Sequence, residues 1–151
     1  MRAHMMLGTL LLVGACGGGR YYTTLTSSPS AAPADVIACA RTKLRALGYQ
    51  ETSFDQNDAR VTARKVDNSV QRAEPQYRRN VDRLEIQAVP AADGNSTLTV
   101  IGHTFAEYST QRGPTEQEEQ ASAEVKRSSQ SILDECGQSD DSAVVPPTGG
   151  D

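Results

Sequence analysis

The hydrophobic period of this chain changes twice, and those changes constrain its fold more than any other feature. In "PADVIACARTKLRALG" (33–48), Val36, Ile37, Ala40, Leu44 and Leu47 recur at helical spacing, with Arg41, Thr42 and Arg45 opposite. Pro33 suits a first helical turn and Gly48 a C-terminal stop. The period then drops to two. "ARVTARKV" alternates Val61 and Ala63 with Arg60, Thr62 and Arg64, and "DRLEIQAV" alternates Leu84, Ile86 and Ala88 with Arg83, Glu85 and Gln87. "STLTVIGHTFAEY" starts with Leu98 and Val100 on one face and places Ile101 and Phe105 on the other, so Gly102 is expected to mark a bulge. Helical spacing returns in "PTEQEEQASAEVKRSSQSILDECG" (114–137). Thr115 and Glu118 there have capping-box spacing, and Ala121, Val125, Ser128, Ile132 and Cys136 share a face.

These segments predict an α+β domain over residues 34–137: an N-terminal helix, a three- to four-stranded antiparallel sheet and a C-terminal helix. Both helices are expected on one face of the sheet. "DGN" at 93–95 is a strong turn signal and "QND" at 56–58 a weaker one. Residues 67–80 are polar and unpatterned and read as a long connection. Residues 49–55 are left open between strand and loop. With 37% hydrophobic residues, 5% aromatic and no Trp, the core is modest and aliphatic.

The first sixteen residues follow another logic. Arg2 precedes a short apolar stretch, Leu7 to Val13, and then the small residues Gly14 and Ala15. That is the pattern of an export signal, too short to span a bilayer as a stop-transfer helix. "VGAC" (13–16) resembles the lipobox of bacterial lipoproteins. The resemblance implies cleavage between Ala15 and Cys16, removal of residues 1–15, and a diacylglyceryl group on the Cys16 thiol. Each buried acyl methylene contributes about 0.8 kcal/mol, so two chains anchor where one does not. Gly at position 17 implies, by the same resemblance, the outer membrane with the domain facing the periplasm. Residues 16–33, rich in Gly, Ser, Thr and Ala, then read as a flexible tether, and 138–151 as a disordered acidic tail.

An exported domain with two further cysteines, Cys39 and Cys136, is expected to hold one disulfide. No metal site is expected, because the cysteines lack paired spacing, and no cofactor motif is present. Charge is segregated. Residues 59–83 hold seven basic against three acidic side chains, and residues 107–151 ten acidic against three basic. The two regions are therefore expected to pack together or to present unlike faces. Arg60, Arg64 and Arg83 form a candidate binding face. Nucleic acid is not an expected partner, since the basic stretch has one aromatic and no reading motif.

Nothing in the chain carries the spacing of an active site. His103 is the only histidine beyond the signal, Ser96 and Ser109 flank its strand without a nucleophile elbow, and Glu85 and Glu107 are a possible cross-strand pair. The expectation is a non-catalytic envelope lipoprotein, anchored in the bilayer through Cys16, whose domain binds another envelope component, a protein. A small-molecule or anion-binding domain is the alternative, and a hydrolase using His103 the weakest reading.

Overall fold

A computed structural model describes residues 21–138. Ala15, Cys16 and the tail from 139 onward, and with them the lipobox, lie outside the described residues. The elements run β1 (Thr23–Ser27), α1 (Pro33–Ala46), β2 (Gln50–Asp55), β3 (Arg60–Asp67), β4 (Tyr77–Pro90), a short 3-10 turn (Ala92–Gly94), β5 (Ser96–Thr110), β6 (Gly113–Glu119) and α2 (Ala123–Cys136). The architecture is α+β, with two helices and a six-stranded antiparallel sheet of order β1-β5-β4-β3-β2 in which β6 also pairs β5.

Six strands replace the expected three or four, and three segments account for the difference. Residues 50–55 pair with β3 and form one edge. Thr23–Ser27, expected in the tether, pair with β5 over Leu98–Gly102. The β-branched run "TTLT" suits a pleated surface, so the folded unit begins well before residue 34. Residues 113–119 were expected to open the last helix from Thr115; they are instead β6, paired with Thr104–Thr110. A helix starting there would leave the outer edge of that half of β5, the side away from β4, without a strand partner. Helix α2 begins eight residues later, where the Ser122 hydroxyl accepts the Val125 amide at 2.9 Å.

The core follows the expected alternation. Val61, Ala63, Leu84, Ile86, Ala88, Leu98 and Val100 form one cluster with Val36, Ile37, Ala40 and Leu44 of α1 and Val125, Ile132 and Cys136 of α2. Cys39 and Cys136 are joined by a disulfide, with Cα atoms 5.8 Å apart, linking α1 to the end of α2.

Gly102 is not a bulge. The β4–β5 register runs through it without a shift, and Ile101 and Phe105 reach the second face by plain alternation. Its missing side chain serves packing instead. A Cβ there would lie 2.9 Å from Val125 Cγ2 and 3.0 Å from Ser129 Oγ and Thr23 Cγ2, so glycine lets α2 and β1 approach the sheet. Gly48, at φ +81°, ends α1 in the left-handed conformation that glycine adopts without strain.

Candidate binding face of the sheet

Residues alternating with the core form a second surface. Across β1, β5, β4 and β3, register places Arg64 opposite Arg83 and Arg83 opposite His103, with Tyr22 beside His103. The next row holds Val66, Val81 and Phe105. The rings of Tyr22 and His103 are 5.5 Å apart, those of His103 and Phe105 6.0 Å, and the Arg83 guanidinium lies 4.5 Å above the Phe105 ring. Val81, at 1% exposure, is fully buried on this surface although it is not part of the main core. The result is a half-buried aromatic and guanidinium layer, the side-chain chemistry enriched at protein interfaces.

The predicted cations sit on this surface, but the structure removes most of their surplus charge. Arg60 bonds Glu85, Arg83 bonds Glu116, and Arg79 bonds Glu107 at 3.1 Å. His103 Nδ1 lies 2.6 Å from Glu118. Only Arg64 among the three candidate arginines has no ion-pair partner among the described residues. Exposed pairs of this kind contribute roughly 0–1 kcal/mol each, so they hold side chains in place more than they stabilise the fold. The segregated charge of the sequence is thus largely spent internally. Arg72–Glu119, Arg79–Glu107, Arg83–Glu116 and Lys65–Glu124 all join the basic middle to the acidic C-terminal region. Arg72 grips Glu119 with two nitrogens at 2.5 Å, and that hydrogen bonding holds the Glu119 carboxyl below its usual range.

His103, Ser96, Ser109, Glu85 and Glu107 do not come together in one place. Glu85 faces Ile101, and Glu107 faces Arg79, so the two carboxylates are not opposite one another. Ser96 and Ser109 lie at opposite ends of the strand that carries His103. The Ser96 hydroxyl donates to the Ala31 carbonyl at 2.5 Å. Among the described residues, no three His, Cys, Asp or Glu side chains gather as metal ligands, and no helix is long and apolar enough to cross a membrane.

No family model and no curated protein matches the chain. Among solved structures, a DUF4468 family protein from Bacteroides ovatus is similar at 11% identity and a TM-score of 0.34, over 71% of this chain. The match spans 66% of that protein's own length.

Two other polar or concave features were not legible in the sequence. Asp82 sits on the core side of β4 at 3% exposure, where its carboxylate accepts the Thr104 hydroxyl at 2.6 Å and the Ser122 hydroxyl at 3.0 Å. Burial raises its pKa despite those bonds. Nearby, burial pushes the Tyr49 phenol up to about 12. A cavity of about 360 Å³, lined by Lys65, Asp67, Asp82, Glu124 and Arg127 among others, opens beside Asp82. Two adjoining cavities of about 240 and 440 Å³ run between α1 and the β2–β3 turn, sharing Ala34, Gln56 and Ala59. The sequence analysis did not single out Asp82, whose partners come from β5 and from the residue before α2.

Proposed function

We propose that this protein is a non-catalytic lipoprotein of the bacterial envelope, anchored through acylated Cys16 and held in the outer membrane facing the periplasm. Its α+β domain binds another envelope protein. In this reading both helices cover the Leu84/Ile86 face of the sheet, and the opposite face is the docking surface. One observation carries it: the half-exposed layer of His103, Phe105 and Arg83, with Arg83 held by Glu116 and Arg64 unpaired beside it. Aromatic and Arg side chains packed against one another on an accessible face are what an interface centre uses. The matched charges favour a partner of mixed polarity over a strongly acidic one. Photocrosslinking in native membranes from Gln87, on the same face, should trap one specific protein, and capture should fall in Phe105→Ala and Arg64→Glu. Background proteins only, unchanged by either substitution, would reject the reading.

A second reading has one observation in its favour. Arg64 lies directly opposite Arg83, and like charges in that position repel, which a bound anion relieves. A thermal-shift screen of phosphates and carboxylates tests it: a stabilising hit lost in Arg64→Glu supports a small-anion site.

A further inference from the structure

Resting on the acylation of Cys16, we infer that the domain lies edge-on at the bilayer, with the β1/β6 edge of its sheet and the Tyr21–Tyr22 pair seated in the lipid headgroup layer. The stretch between anchor and fold is short. The Tyr21 carbonyl accepts the Ala121 amide at 2.7 Å, so the backbone is already fixed to the β6–α2 junction at residue 21. Cys16 and Tyr21 are five residues apart, a span of at most about 18 Å in any conformation. A tether reaching to residue 33 would allow far more freedom; pairing of β1 with β5 removes it.

The surface at the end of this leash fits a headgroup layer. Tyr21 and Tyr22 are 60% and 44% exposed, and with Phe54 and Val89 they are the large hydrophobic side chains most open to water among the described residues. Tyr combines an apolar ring with a polar tip and concentrates at membrane–water interfaces for that reason. The pair lies where the start of β1 meets the end of β6, midway along β5. Two of the three carboxylates of β6, Glu116 and Glu119, are compensated by Arg83 and Arg72, which limits the repulsion that β6 presents to phosphate headgroups. The far edge, β2, stands four strand spacings away from β1, about 19 Å. It therefore faces away from the lipid.

The chain contains no Trp, so single substitutions serve as reporters. Lipidated full-length protein carrying Tyr21→Trp, Tyr22→Trp or Phe54→Trp is reconstituted into phosphatidylcholine vesicles containing phosphatidylcholine brominated near the top of its acyl chains. Emission from Tyr21→Trp and Tyr22→Trp should shift to the blue and lose most of its intensity, while Phe54→Trp stays unquenched. Equal quenching at all three positions, or quenching of Phe54→Trp alone, overturns the edge-on placement. Flotation and intact mass of the same samples separate the two possible failures. Protein that floats with acyl mass but shows no quenching of the tyrosine replacements refutes the orientation and keeps the anchor. Protein that neither floats nor carries acyl mass refutes both.

Discussion

Removing the disulfide should cost this domain a large part of its stability. The perturbation is the double variant Cys39→Ala/Cys136→Ala. The bridge closes a loop with a sequence separation of 97, for which chain entropy gives about 4.7 kcal/mol. Domains of this size have total stabilities of about 5–15 kcal/mol, so the loss is about three-tenths of the whole or more. The structure adds a reason for it to be felt at α2. Of the five residues that helix buries, two are serines, and Cys136 is the last. Without the bridge, α2 relies on Val125 and Ile132 for most of its apolar burial. At an m-value of about 1.5 kcal/mol per molar, the urea midpoint should fall by about 3 M. Wild-type protein kept reduced should move by a similar amount, which separates the cross-link from the side-chain change. Midpoints that coincide for oxidised, reduced and doubly substituted protein would refute the argument.

Gly102→Ala should destabilise by about 1–3 kcal/mol, because its Cβ would meet Val125, Ser129 and Thr23 closer than packed atoms approach; thermal unfolding checks this. Asp82→Asn should raise stability at pH 7 relative to pH 3. The carboxyl's folded pKa is raised, so its favourable contribution is complete below the ordinary value of 3.8 and disappears as pH rises through the folded pKa. Urea titrations of both proteins at the two pH values decide it, and a pH-independent difference would count against the burial argument. Arg72→Ala should act in the opposite sense. Glu119 has a lowered folded pKa, so the pair stabilises above pH 4.5 and is lost as pH falls through the folded value. The cost of Arg72→Ala should therefore shrink in acid, by less than about 1 kcal/mol because both groups are partly solvated.

The two long-range features of the sequence, period and charge segregation, were both informative, and to different degrees. Period alone placed Val36, Ile37, Ala40 and Leu44 on one side of α1 and Leu84, Ile86, Leu98 and Val100 on one side of the sheet, where all of them are buried. It failed where a segment has no apolar alternation to show. In "PTEQEE" (114–119) every position is polar or Pro, so glutamates suited to a helix N-terminus concealed a strand. Its identity is set by the outer edge of β5 beyond the reach of β1, which no local pattern reveals. "TTLTS" (23–27) was hidden likewise inside a Gly/Ser/Thr-rich stretch. Charge segregation left open whether the two regions pack together or present unlike faces, and did not say which residues meet. Because β6 brings Glu116 and Glu119 to Arg83 and Arg72, a face that reads as basic in sequence is nearly balanced in the fold. The ring stack of Tyr22, His103 and Phe105 needed β1, and so it could not be foreseen.

The anchor is the claim on which localisation, partner class and orientation all depend, and intact mass tests it most directly. Protein extracted from its native membrane is weighed before and after reduction. The account predicts the mass of residues 16–151 plus a diacylglyceryl-type lipid, rising by one pair of hydrogens when the Cys39–Cys136 bond is reduced. A mass that retains residues 1–15 and carries no lipid would contradict it.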